Sequence, residues 1–196
     1  MRVLCYGDSN TYGYDPRSQL GGRYPIQVRW TGRLTEQGYQ VENWGLNGRE
    51  IPTRPREWEA VESLIARESS GDRVVVMLGT NDLLQPGLTA RNVAARMEDF
   101  LARPGMRRLP VLLVAPPPMV RGVWVTEDRH LTQSALLGEE YRQLARRLGV
   151  DFADAGAWDI PLLFDGVHFT PEGHRRFAQE LARCLEALRL QAGQAE

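Results

Sequence analysis

Arg2-Val3-Leu4-Cys5-Tyr6-Gly7-Asp8-Ser9-Asn10 begins as an apolar run and ends in a cluster of hydrogen-bonding groups. Val3 to Tyr6 is nearly continuous rather than alternating, the pattern of a strand buried on both faces. Val74 to Leu78 and Val111 to Ala115 repeat it, and Tyr39 to Trp44 and Val150-Asp151-Phe152-Ala153 supply two weaker versions. Helical spacing lies between these runs. Leu137, Tyr141, Leu144 and Leu148 recur on one face, as do Phe177, Leu181, Cys184 and Leu188. Met97 and Leu101 belong to a helix starting near Thr89, and Thr170 followed by Pro171 is a capped start for the last one. Strands alternating with helices predict an α/β fold, with a parallel sheet covered on both faces.

The 196 residues suit one domain, residues 1–196, with a core that needs neither metal nor disulfide. A net charge of -1 and scattered arginines give no reason to expect nucleic acid or an anionic membrane as partner. No apolar run approaches the roughly 18 residues of a membrane-spanning helix. The strand-like opening leaves no room for a secretory leader, so a cytoplasmic location is expected. Cys5 and Cys184 read as two buried reduced thiols, with a bridge between them open as the other reading. Gly13 to Pro25 and Pro116 to Arg129 read as long loops, and Gln191 to Glu196 as a frayed tail.

In an open parallel sheet, ligands bind beyond the carboxyl ends of the strands. The residues that follow the strands are Gly7-Asp8-Ser9-Asn10, Gly45-Leu46-Asn47-Gly48, Gly79-Thr80-Asn81-Asp82 and, before the last helix, Asp165-Gly166-Val167-His168. Ser9 stands where a strand turns, and Gly7 allows a sharp turn that would expose the hydroxyl as a nucleophile. An ordinary turn or cap serine has the same signature. His168 could take the serine proton, with Asp165 three residues earlier fixing its tautomer; an Asp-initiated turn with an incidental His fits equally. Gly48 and Asn81 offer donors for a developing oxyanion, or else a tight turn and a loop anchor. His130, placed in the second long loop, and His174 read as surface or structural residues. No His or Cys cluster supports a metal site, and no G-x-S-x-G elbow, phosphate loop or dinucleotide motif occurs.

Taken together, the four blocks resemble the SGNH hydrolases, or GDSL-type esterases and lipases, whose signature is one Ser, Gly, Asn and His in separated segments. Here these are Ser9, Gly48, Asn81 and His168, in register from residue 3 to about 185. The residue after Ser9 is Asn10, where the family name implies Leu. The resemblance implies a flavodoxin-like three-layer α/β/α sandwich with a five-stranded parallel sheet. It implies a serine esterase with a Ser9, His168, Asp165 triad and an oxyanion hole of Ser9, Gly48 and Asn81. It implies no cofactor, and assigns Asp8 no proton-transfer role. Tyr12-Gly13-Tyr14, Val28-Arg29-Trp30-Thr31-Gly32, Ala115-Pro116-Pro117-Pro118 and His168-Phe169-Thr170 are most similar to the arylesterase and acyltransferase branch. That branch acts on short acyl esters, sometimes passes the acyl group to alcohols, and includes homo-oligomers. Trp44, Trp124 and the three prolines are read as an apolar wall for the substrate, or else as core or interface residues. A carbohydrate deacetylase or lysophospholipase on the same triad, and a flavodoxin-like module that binds without turnover, are the competing functions.

Overall fold

The computed structural model describes residues 1–18, 22–66 and 72–193. Five strands, β1 (Arg2–Gly7), β2 (Gln40–Gly45), β3 (Asp72–Met77), β4 (Val111–Ala115) and β5 (Asp151–Asp154), form one parallel sheet in the order β2-β1-β3-β4-β5. The helices are α1 (Ser9–Tyr12), α2 (Trp30–Glu36), α3 (Pro55–Ile65), α4 (Thr80–Leu84), α5 (Ala90–Leu101), α6 (Pro104–Arg107), α7 (Asp128–Leu148) and α8 (Pro171–Gly193). The register puts Gly7 beside Gly45 on one side and Met77 on the other, so the carboxyl ends of β1, β2 and β3 finish level.

The near-continuous apolar runs are explained by two cores, one on each face of the sheet. Leu4, Tyr6, Val74, Val76, Leu113 and Ala115 pack toward α3, α5 and α7. Val3, Cys5, Val75, Met77, Leu112 and Val114 alternate with them and pack toward α2 and α8 through Trp30, Leu34, Phe177 and Leu181. Both sides of β1, β3 and β4 are therefore dry, and the molecule is the three-layer α/β/α sandwich that the resemblance implies.

Caps account for several boundaries. The Thr170 hydroxyl accepts the Gly173 N–H at 2.9 Å ahead of α8, and Thr89 accepts the Asn92 N–H ahead of α5. Helix α7 departs from the sequence reading: it starts at Asp128, so His130 lies in its first turn and not in the loop. Its inward face continues through His130 and Ser134 before Leu137, and polar residues at those positions hide the helical period.

The free thiols of Cys5 and Cys184 form no bridge, and Cys184 is half-buried where full burial was expected. His130 and His174 are both buried, which excludes the surface reading for each. Residues 191–193 continue α8, whereas the rest of the expected frayed tail, 194–196, lies outside the described residues, as do 19–21 of the first long loop.

Candidate active site

The chain leaves β1 at Gly7, where a Cβ would stand 2.1 Å from the Thr11 hydroxyl and 2.9 Å from the Met77 carbonyl. Only glycine allows the next turn to fold this tightly against β3. Asp8 caps α1, its carboxylate accepting the Asn10 N–H at 2.9 Å. Ser9 follows as the first helical residue, a position whose N–H has no acceptor within the helix.

Ser9 Oγ lies 2.9 Å from His168 Nε2, and His168 Nδ1 lies 2.8 Å from Asp165 Oδ2. The other carboxylate oxygen of Asp165 accepts the N–H groups of Val167 and His168, each at 2.9 Å. Asp165 therefore both orients the ring and closes the turn that carries it. With its second nitrogen held by the carboxylate, neutral His168 presents Nε2 as an acceptor toward the serine hydroxyl. All three side chains are buried, Ser9 least so at 7% exposure. Burial acts to raise the Asp165 pKa, but the His168 ring and the two backbone donors outweigh it and hold the carboxyl below the ordinary range. Asp8, equally buried, is pushed up to about 6 by burial, which the Asn10 N–H and the nearby His168 and Arg49 only partly offset.

The candidate oxyanion groups Gly48 and Asn81 lie in the loop after β2 and in α4, which are tied to one another. Gly48 has φ +71, a left-handed conformation suited to glycine, and is exposed in the loop after β2. That loop is anchored by Arg49, whose guanidinium donates to the carbonyls of Gly7 (3.1 Å) and Trp44 and lies 4.2 Å from the centre of the Tyr6 ring. Asn81 donates from Nδ2 to the Arg49 carbonyl at 3.0 Å. Buried Asp82 accepts the Ile51 N–H at 3.0 Å and an Arg96 N–H at 2.9 Å, which fixes the same loop from beneath.

The two tryptophans separate. Trp124 meets the His168 ring edge-on, with centroids 5.0 Å apart, and is half exposed. Trp44 stands opposite Tyr6 in the β1–β2 register and packs against the core on that face, which is the core alternative of the sequence reading and not the wall. Pro118 lies against Gly156, beside the end of β5. Tyr14, not singled out as a substrate contact from sequence, stands 4.9 Å from His168 by ring centroids. Among the described residues no group of three or more His, Cys, Asp or Glu side chains could hold a metal ion, and no helix is long and apolar enough to cross a membrane.

A flavodoxin-like parallel sheet with a Ser–His–Asp line at its carboxyl edge is the architecture of a hydrolase of the serine-esterase class. The GDSL-like lipase/acylhydrolase family profile matches residues 5–176, and the chain belongs to that family. Among solved structures, the inhibitor-bound aryl esterase of M. smegmatis is 31% identical, with a TM-score of 0.82 over 95% of this chain and 99% of that one. A carbohydrate acetylesterase from Sinorhizobium meliloti is 28% identical, with a TM-score of 0.82 over 95% and 99%. A lipolytic G-D-S-L family member from Veillonella parvula DSM 2008 shares the fold at 18% identity, TM-score 0.74, over 93% and 97%. No curated protein matches the sequence. The protein is an esterase of the GDSL type, and its substrates are small-molecule esters.

Proposed function

We propose that Ser9 is the nucleophile of a short-chain carboxylic ester hydrolase, with His168 as general base and Asp165 as its orienting carboxylate. The hydrogen-bonded line Ser9–His168–Asp165, at 2.9 and 2.8 Å within a buried turn, is the observation that carries this reading. Ser9 Oγ adds to the ester carbonyl while its proton passes to His168 Nε2. The Ser9 and Gly48 N–H groups and the Asn81 amide take the negative charge that develops on the carbonyl oxygen. The tetrahedral adduct collapses, His168 returns the proton to the leaving alcohol, and the acyl group stays on Ser9. Water deprotonated by His168 then releases the acid, and an alcohol in its place would give acyl transfer. Hydrolysis falls in acid, because a protonated imidazole accepts no proton from serine.

Tyr14 and Trp124 beside the imidazole support an apolar or aryl ester as substrate, and the aryl esterase relative agrees. The acetylesterase relative supports a short acyl group and makes acetylated sugars the second class to try. A single sheet with both cores built on it supports one domain over residues 1–196, and two free thiols suit the reducing cytoplasm. Exposed Val123, Trp124 and Phe164 favour a homo-oligomer, which light scattering would read as a mass above that of one chain.

The test is hydrolysis of p-nitrophenyl acetate beside acetylated sugars and long-chain esters, with Ser9→Ala and His168→Ala of verified fold. The parent turns over and each variant loses about 10³-fold or more in kcat. Full activity in Ser9→Ala would overturn the mechanism, and an inert parent whose Ser9 also resists a phosphonate would overturn the enzyme reading of this site.

A further inference from the structure

We infer that Asn10 is a positioning residue, which locks the His168 turn onto the nucleophile by bonding the backbone on both sides of the imidazole. The Asn10 amide is buried. Its Nδ2 donates to the Val167 carbonyl at 3.1 Å, and its Oδ1 accepts the Phe169 N–H at 2.9 Å. These partners lie 157 and 159 positions along the chain and are the two immediate neighbours of His168. A carbonyl on one side and an N–H on the other leave the amide a single orientation, since neither its oxygen nor its nitrogen could serve in the other's place.

The sheet explains why such a strap is needed. Ser9 follows β1 and His168 follows β5, yet β3 and β4 stand between those strands. A path through the sheet from nucleophile to base crosses three strand pairings and then the loop after β5. Each step adds positional freedom, whereas the serine-to-imidazole contact is a single 2.9 Å hydrogen bond. Asn10 replaces that long path with a short one, because it is covalently joined to Ser9 and bonded on either side of His168.

Asn10 is itself fixed by its main chain. Its N–H donates to Asp8, and its carbonyl accepts the Trp30 indole N–H at 2.9 Å. Asp165 accepts the Val167 and His168 N–H groups from within the turn, so different residues bond different backbone groups of it. Leucine, the residue implied by the family's name at this position, has no group that could make either bond of Asn10. In this chain the strap is therefore a property of the asparagine.

The inference rests on the Ser9–His168–Asp165 reading, and the test separates the two. Asn10→Leu removes both bonds. Asn10→Asp keeps the shape and the bond from Phe169, but sets an acceptor against the Val167 carbonyl. Both are assayed with p-nitrophenyl acetate beside the parent and Ser9→Ala, with functional sites counted by titration with a serine-reactive phosphonate. Counting sites removes any misfolded fraction, so a purely structural role would leave kcat per titrated site unchanged. We expect kcat per site to fall about 10- to 100-fold in Asn10→Leu and less in Asn10→Asp. KM should stay within about twofold in both, because the bonded faces of the amide are turned to protein and not to substrate. An active parent, a dead Ser9→Ala and both Asn10 variants within about twofold of parental kcat per site would overturn the strap and leave the triad standing. Failure of the Ser9→Ala arm, or a parent that neither turns over nor labels, would remove the triad and the strap with it.

Discussion

Gly122 gives the most demanding test of how the Asp165–His168 turn is held. Its φ is not in the left-handed region, so alanine meets no conformational obstacle there. Space is the obstacle: a Cβ would stand 2.3 Å from the Asp165 carbonyl carbon, 2.4 Å from the Gly166 nitrogen and 2.5 Å from the Asp165 oxygen. All three are backbone atoms and cannot rotate away. Ordinary carbon contacts lie near 3.5 Å, so Gly122→Ala must separate the two segments by about 1 Å. Three hydrogen bonds span that seam: Val120 N–H to Gly166 O (3.1 Å), Val123 N–H to Phe164 O (3.1 Å) and Trp124 N–H to Asp165 O (3.2 Å). Stretching them by that amount takes them out of bonding range. At about 1 kcal/mol each, the expected destabilisation is about 3 kcal/mol, or a fall in Tm of roughly 6–12 °C for a chain of this size. The seam carries Asp165 itself and leads directly to His168, so kcat should drop about 100-fold at temperatures where the variant remains folded. Urea denaturation and ester hydrolysis measure the two effects on one preparation. A variant within about 0.5 kcal/mol of the parent and within twofold in kcat would refute the packing of this seam as the turn's support.

Asp165→Asn keeps the acceptor for the Val167 and His168 N–H groups but turns an NH₂ toward His168 Nδ1. This forces the tautomer that cannot accept the serine proton, and kcat should fall about 10⁴-fold with little change in Tm; parental kcat would exclude the orienting role. Asp8→Asn should show a stability difference that depends on pH. With its carboxyl at about 6 when folded and near 3.8 when unfolded, Asp8 keeps its proton longer in the native state, so the parent loses stability as pH rises between those values. The amide keeps the Asn10 cap and does not titrate, so relative to the parent it should gain up to about 3 kcal/mol between pH 4 and pH 7.5. Urea midpoints at both pH values read this, and a difference that is flat in pH would contradict the burial of an ionisable Asp8.

The sequence disclosed those features that rest on a repeating physical pattern. Val74 to Leu78 and Val111 to Ala115 are apolar at every position because each strand has a core on both sides, and this announces a parallel sheet with two helical layers. The site segments were legible because they end strands of one sheet, where convergence follows from topology. The parts not legible have local patterns that mislead. The first two turns of α7 bury His130 and Ser134 and so show no apolar stripe. Trp44 and Trp124 are the same residue type, but strand parity aims Trp44 at the Tyr6 face of the core, whereas a loop brings Trp124 to His168. Tyr14 reaches the imidazole from a loop with no period to read. Asn10 was visible as a departure from an apolar position, but its partners became apparent only when β1 and the His168 turn met.

The two carboxylates at the site explain why only one of them can serve the histidine. Asp8 neighbours Ser9 in sequence and is the obvious acid, yet burial dominates its environment and raises its pKa to about 6, which the single Asn10 N–H bond only partly offsets. Asp165 is as inaccessible, but the ring N–H and two backbone N–H groups converge on it, and each stabilises charge. In the proposed mechanism the partner of the imidazolium has to remain ionised throughout, and of the two carboxylates Asp165 is the one whose surroundings favour charge. Asp8 instead caps the turn that carries Ser9 and fixes the backbone of Asn10. The same turn, Asp165 to His168, thus holds the Asp165 carboxyl low and carries its histidine, and α1 supplies both Ser9 and the amide that bonds that turn. The relay is held by these two short segments together, so moving either one relative to the other should cost more activity than removing any single contact that surrounds them.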